Sequence, residues 1–396
     1  MARVDAGIWR KRPQMDRLLA ALDAGSGATR VVGGAVRDGL LGLPVADVDF
    51  ATRLEPGAVM AALETAGLRA VPTGLAHGTV TAVAGGRGYE ITTLREDVET
   101  DGRRARVAFT DDWQTDAARR DFTINALYAD PLTGEVTDFF GGVDDLAARR
   151  VRFIGDPLTR IAEDHLRILR FFRFSGRYAE ALDQAGLAAC AARARDLMTL
   201  SRERVRDELL KILGAPAPAP IVTAMHAHGI LAAILPEADD LDRLARLLRA
   251  EARAGAAPDA LRRLAALCPE DPALARALAG RLRLSNVERT RLSAIMTPGE
   301  VPADPRALAY RVGADATRDR LLLSDDPRAA EWLPRLAGWH PPRLPVSGRD
   351  LIAMGLAPGP AVSRALAEVE ARWIAAGFPA VRDEVMALAR AVLDPR

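Results

Sequence analysis

The chain has 396 residues, 49% of them hydrophobic, and 54 lysines and arginines against 53 acids leave a formal net charge of only +1. That size and apolar content suffice for real cores and point to two to four domains, while the near-neutral balance excludes a global basic field advertising nucleic acid. No apolar run reaches membrane-spanning length and the start lacks an apolar signal core, so a cytoplasmic protein with no membrane partner is expected; Cys190 and Cys268, far apart and without metal-ligand spacing, read as small buried thiols.

Met15 to Leu22 suits a short amphipathic helix beside the first strand. Val31-Val32 then opens V-V-G-G-A-V-R-D, in which an apolar strand breaks at Gly33-Gly34 and a helix-like segment follows. Without a Cβ, glycine lets a ligand approach the backbone, and N–H groups at a helix start favour phosphate. Arg37, within one turn, can add a forked positive charge. The run D-V-D-F-A-T reads as a second strand, Val48 to Ala51. Alternation along a strand turns Asp47 and Asp49 the same way, and two adjacent carboxylates repel unless a cation lies between them. Hard cations with oxygen ligands, above all Mg²⁺, suit that pair. A phosphate cradle followed by a metal-binding carboxylate pair is the working part of a nucleotidyl transferase.

Thr79 to Val83 and Tyr89 to Leu94 are further strands by β-branched content. Composition makes Leu94 to Trp113, with charges of both signs, a mobile surface loop. If A-R-R-D-F-T-I-N-A-L-Y at 118–128 is helical, Asp121 and Asn125 share a face that can hold a ribose by accepting from and donating to its hydroxyls. The stretch 130–142 reads as a hairpin or connecting turn. After Ala147 the pattern becomes helical, and residues 149 to 177 carry eight arginines against three acids.

R-I-A-E-D-H-L-R-I-L-R-F-F-R-F at 160–174 predicts one helix with an apolar core stripe. On it Asp164 and Arg167 are neighbours, by one reading a salt bridge worth only ~0.2–0.5 kcal/mol. By another they read a base. Cytosine and adenine each present an exocyclic amino donor beside a ring-nitrogen acceptor, and guanine and uracil present the reverse. A carboxylate with a guanidinium fits the first pair, and the wrong base leaves buried groups unpaired at roughly 1–3 kcal/mol each. Ser201 reads as an N-cap before a packing helix at 201–213. G-A-P-A-P-A-P at 214–220 is a linker by composition, with weaker breaks at 297–305 and 340–348. The layout expected is α+β: a mixed head followed by an all-helical remainder.

These motifs, in this order, resemble those of the class II tRNA nucleotidyltransferase and bacterial poly(A) polymerase family. The likeness is strong from residue 28 to about 240 and looser beyond, where 346–360 is similar to the family's tail. It implies a polymerase β-like nucleotidyltransferase head with a small mixed sheet at 1–146, a base-recognising neck at 147–214, a body at 215–340 and a tail at 341–396 that can contact tRNA. It also implies that Glu90, in E-I-T-T-L-R, joins Asp47 and Asp49 as a third catalytic acid around two Mg²⁺ ions. By the same resemblance Gly34 and Arg37 hold the triphosphate, Arg120 contacts the nucleotide and Asp121 and Asn125 lie near its sugar. Asp164 and Arg167 serve as a protein template with Glu163 in support, and Arg170 and Arg173 line the pocket. The charged segment after Leu94 corresponds to a flexible loop needed for the terminal adenosine. The implied activity is addition of C, C and A to the tRNA 3′ end from CTP and ATP. The alternatives are a poly(A) polymerase, an A-adding enzyme or a non-catalytic RNA-binding module.

Overall fold

The β-branched runs near the start of the chain pair into one seven-stranded sheet. In the computed structural model, which describes residues 2–100 and 105–394 (side chains at 97–100, 105 and 106 excepted), the strands are β1 (Thr29–Val32), β2 (Asp49–Thr52), β3 (Arg69–Gly74), β4 (Thr79–Ala84), β5 (Arg87–Thr93), β6 (Arg95–Thr100), β7 (Ala105–Phe109), β8 (Leu127–Ala129) and β9 (Val136–Asp138). The sheet order is β3-β4-β5-β2-β1-β8-β9, and it is mixed because β2 and β5 run parallel while the other pairs are antiparallel. Pro72 hides β3 from a sequence reading; lacking an N–H it suits only an edge strand, and β3 is at the edge.

Alternation decides the two faces. Val80, Ala82, Tyr89, Ile91 and Phe50 are buried, and helices Met15–Ala21 and Pro56–Thr65 pack over β4, burying Leu18, Leu19, Val59 and Leu63. Phe50 pairs with Ile91, so their predecessors Asp49 and Glu90 point together to the opposite face. The hairpin expected at 130–142 is present as β8–β9.

Three expectations need correction. The charged segment after Leu94 is a two-stranded ribbon, β6 with β7, from Arg95 opposite Phe109 to Thr100 opposite Ala105. Charge marks solvent exposure but leaves backbone conformation open, and the ribbon pairs the facing backbone groups of its two strands while the outer ones are left to water; its tip, 101–104, lies outside the described residues. The proline-alanine run at 214–220 is a short connection, since Ala219 already opens helix Ala219–Ala227, where an early proline costs no hydrogen bond. Ser201 holds the N-cap position of helix Arg202–Leu213, but its side chain makes no capping bond.

The chain divides into a compact unit ending at Pro236 and a second beginning at Glu237. In the first, the head joins its following helices through aromatic rings: Phe153 stacks on Phe171 with centroids 5.5 Å apart, and Phe122 touches Phe153, Phe171 and Phe174. Phe171 is fully buried. Its replacement by alanine should destabilise this unit by ~3–5 kcal/mol, seen as a lowered denaturation midpoint in urea. The second unit is helical, with a buried ion cluster in which Glu251 pairs with Arg262 and Arg263, and Asp319 with Arg262 and Arg291. Its last helices close over Leu351, Val369, Trp373 and Val385. Both cysteines are buried free thiols, as expected.

Candidate active site

At the end of β1 the chain turns through Gly33, whose φ of 68° and ψ of −122° suit glycine alone, and Gly34 opens helix Gly34–Leu40. A Cβ on Gly33 would lie 3.9 Å from Arg120 Nη1, and one on Gly34 would lie 3.5 Å from Arg37 Nη2. Those nitrogens are the unspent donors of their guanidiniums. Arg37 gives Nε to Asp38 Oδ1 at 2.8 Å and Nη1 to Asn125 Oδ1. Arg120 gives Nε to Tyr128 Oη at 3.1 Å and Nη2 to Asp116 Oδ2 at 3.0 Å. The glycine pair is therefore a small concavity faced by two fixed, unpaired N–H groups, which suits an anion.

Val32 pairs with Asp49 across β1 and β2, bringing the first carboxylate beside this seat. Asp47 precedes β2 instead of lying on it, but the inside-outside alternation already holds: Asp47 and Asp49 are exposed, Val48 and Phe50 buried. Although water reaches the Asp49 side chain, the protein packed around its carboxyl partly desolvates it and raises its pKa to about 6, helped by the negative charges of Glu90 and Asp47 and opposed by Arg120. Among the described residues no three histidine, cysteine, aspartate or glutamate side chains converge into a ready-made metal cage. The chemistry of the donors nonetheless fits a hard divalent cation: three oxygen-bearing acids that repel one another on one face.

The segment after helix Trp113–Ala118 is not α-helical. Asp121 lies at a bend, Phe122 is extended and Asn125 ends a 3-10 turn, Thr123–Asn125. The two still meet, Asn125 Nδ2 donating to Asp121 Oδ1 at 3.0 Å, because the turn brings the amide back over the carboxylate. Asp121 also accepts Arg170 Nε at 2.7 Å. Burial acts to raise its pKa, but Arg170 and the Asn125 amide outweigh it and hold it below the usual range.

The helix expected over 160–174 is likewise broken. Pro157–Glu163 ends, Asp164 is extended (φ −151°, ψ 105°), and Arg167–Tyr178 begins. Asp164 Oδ1 accepts Leu166 N–H at 3.1 Å, and its main-chain oxygen accepts Arg167 N–H at 3.0 Å, so it closes the turn that leads into the second helix instead of lying within one. Aspartate competes for backbone N–H groups and favours such positions. Asp164 and Arg167 are therefore not an intrahelical pair. Asp164 bonds Arg204 at 2.7 Å, and Arg167 bonds Glu163, Arg160 O at 2.8 Å and Arg119 O at 2.9 Å. Glu163 also pairs with Arg160.

One cavity of about 530 Å³ gathers these groups: Gly34, Arg37, Asp49, Glu90, Arg120, Asp121, Asn125, Asp164, Arg167, Arg170 and Arg173 all line it, whereas Asp47 and the supporting Glu163 do not. Eight arginines against four acids in that lining give an excess of positive charge suited to a polyphosphate. Several supporting residues escape a motif reading. Arg204 and Glu208, on a helix read as packing, hold Asp164 and Arg173, the latter through Nε at 2.6 Å. Phe174, Arg177 and Tyr178 also line the cavity; continuing the arginine spacing of 167, 170 and 173 by one turn would have found Arg177.

Residues 29–152 match the family model described as the poly A polymerase head domain, and residues 181–241 that of the probable RNA and SrmB-binding site of polymerase A. The chain is 36% identical to CCA tRNA nucleotidyltransferase 1, mitochondrial, of Danio rerio, over 90% of this chain and 86% of that one. It is 33% identical to the CCA-adding enzyme of Levilactobacillus brevis, over 92% and 93% respectively. Its fold superimposes on the Bacillus stearothermophilus CCA-adding enzyme in complex with CTP with a TM-score of 0.78 and 28% identity, covering 96% of this chain and 98% of the other. A head that matches the family model, together with relatives more than 30% identical along nine-tenths of the chain, identifies it as a member of the CCA-adding tRNA nucleotidyltransferase and poly(A) polymerase family.

Proposed function

We propose that the chain adds C, C and A to the 3′ end of tRNA, using CTP and ATP and releasing pyrophosphate. The observation that carries this is the meeting, in one arginine-rich cavity, of a glycine seat with unspent guanidinium donors, the Asp49 and Glu90 carboxylates, and the Asp164–Arg167 pair. The shared name of the relatives favours CCA addition over a long adenosine tail. The tRNA 3′-hydroxyl attacks the α-phosphorus in line, and pyrophosphate leaves. Gly34, Arg37 and Arg120 hold the triphosphate, while Asp121 and Asn125, braced by Arg170, lie at the ribose. Asp164 accepts the exocyclic amino group of cytosine or adenine and Arg167 donates to the ring nitrogen, each loosening its present hold on Arg204 or Glu163. Arg173 lines the same pocket.

Nucleotidyltransferases of this fold generally depend on a divalent metal. In our proposal this is Mg²⁺, two ions, held by Asp47 and Asp49 with Glu90 beside them; its chemistry there is to acidify the primer hydroxyl and neutralise the departing pyrophosphate. Catalysis belongs to the head at 1–146 and base choice to the neck at 147–214. The body at 215–340 and the tail at 341–396 contact tRNA, and the ribbon after Leu94 serves the final adenosine. The same proposal puts the enzyme in the cytoplasm, although some relatives carry "mitochondrial" in their names.

The test is purified protein with tRNA ending before CCA and each labelled nucleotide in turn, read by product length. Three additions requiring CTP and then ATP are expected. A long adenosine ladder would instead indicate a poly(A) polymerase, a single adenosine on a CC end an A-adder, and no extension a binding module.

A further inference from the structure

Arg37 is gripped from more sides than its own motif supplies. Its Nε reaches Asp38 Oδ1 at 2.8 Å and its Nη1 reaches Asn125 Oδ1. The guanidinium lies over the Tyr178 ring, with Cζ 4.2 Å from the ring centroid, and Phe174 continues that surface at 5.3 Å. Tyr178 does a second thing: its hydroxyl donates at 2.9 Å to Asp38 Oδ1, the same oxygen that takes Arg37 Nε. One side chain thus holds both the guanidinium, beneath its ring, and the carboxylate that accepts its Nε. What remains is Nη2, which has no partner among the described residues and faces Gly34. Tyr178 and Arg37 are both buried, 5% and 7% exposed, so a phenylalanine at 178 would fill the same space and lose only the hydroxyl bond.

We propose that Tyr178 is a positioning residue for the nucleotide triphosphate: by bracing Asp38 and covering Arg37 it holds Arg37 Nη2 over the Gly33–Gly34 seat. The inference rests on the reading above that Arg37 meets the triphosphate. A long arginine side chain left loose must be ordered when ligand binds, and one already clamped does not, so the clamp acts on binding. Because the contact is to phosphate, CTP and ATP depend on it equally, whereas a residue acting on the base would separate them.

The test compares the full-length wild type with Y178F and Y178A. Steady-state constants are measured for CTP and ATP on tRNA, and binding of inorganic tripolyphosphate is measured by calorimetry, with thermal unfolding as the control for folding. Loss of one hydrogen bond to a charged group corresponds to roughly 10- to 150-fold where that bond is made to the ligand itself; Tyr178 acts only through Asp38 and Arg37, so Y178F should raise both KM values and the tripolyphosphate Kd by a smaller common factor of roughly 5- to 10-fold, with kcat changed less than about twofold. Y178A should weaken binding further, and in an Arg37→Ala background Y178F should change tripolyphosphate affinity no more. Unchanged constants in Y178F, a shift for one nucleotide only, or a change confined to thermal unfolding overturns the proposal, as does a wild type that fails to bind tripolyphosphate. A wild type that binds tripolyphosphate but extends no tRNA sinks the proposed function instead, and the calorimetric comparison still decides the role of Tyr178.

Discussion

Replacing Asp49 with alanine is expected to abolish nucleotide incorporation while leaving the fold intact. Charge stabilisation by a bound metal is worth several kcal/mol, so its loss lowers kcat by at least ~10³-fold. Asp47→Ala should act in the same direction, since both acids are exposed about the buried Val48 and Asp47 adds its charge to that acting on Asp49. Folding should behave in the opposite way. Partial desolvation, with Glu90 and Asp47, raises the Asp49 pKa to about 6, so the folded chain holds that proton more tightly than the unfolded one. The wild type is then favoured at low pH and loses stability relative to the variant as pH rises from the ordinary carboxylate range through about 6, with no further change above. Urea titrations of both proteins in chelator across that range check the sign. A variant that retains activity, or one that unfolds more readily at pH 7, contradicts the assignment.

The second large effect is expected at the base-reading pair. Asp164→Asn keeps the shape but replaces an acceptor-only carboxylate with an amide that can also donate. Incorporation of CTP and ATP should fall by roughly 5- to 150-fold in kcat/KM, the range spanned by ~1–3 kcal/mol for a mispaired buried group. GTP and UTP, which present an oxygen acceptor where cytosine and adenine carry an amino group, should gain relative to them. The change also removes the ion pair with Arg204, whose guanidinium bonds Asp164 Oδ2 at 2.7 Å, so both natural substrates should weaken together. Measuring kcat/KM for all four nucleotides separates this from a general loss. Equal decline in all four would mean that Asp164 only fixes the turn ahead of the helix Arg167–Tyr178.

Local order along the chain was sufficient to reveal the seat and the acids. Gly33-Gly34 between an apolar strand and a helix, and the spacing of Asp47 and Asp49, are short-range features whose geometry follows from backbone sterics and strand alternation. Helix Met15–Ala21, the strands of the sheet core, the β8–β9 hairpin and the buried thiols follow from the same local rules. Two segments depart from the helix that their spacing suggests, for a reason just as physical. Asp121 and Asp164 sit where a carboxylate gains more from closing a turn or from an arginine distant in sequence than from helix continuity. Their partners, Arg170 forty-nine residues from Asp121 and Arg204 forty from Asp164, cannot be inferred from neighbouring residues.

What only the tertiary structure decided is which donors remain free. Local sequence identifies Arg37 and Arg120 as cations near a glycine turn. That Asp38, Asn125, Asp116 and Tyr128 consume all but one nitrogen of each, with Tyr178 bracing Asp38, and leave those two aimed at the glycines depends on contacts between segments up to 140 residues apart. Residue type limits the chemistry a side chain can do; the packing of distant segments determines which of its hydrogen bonds are already made and which are left for a ligand.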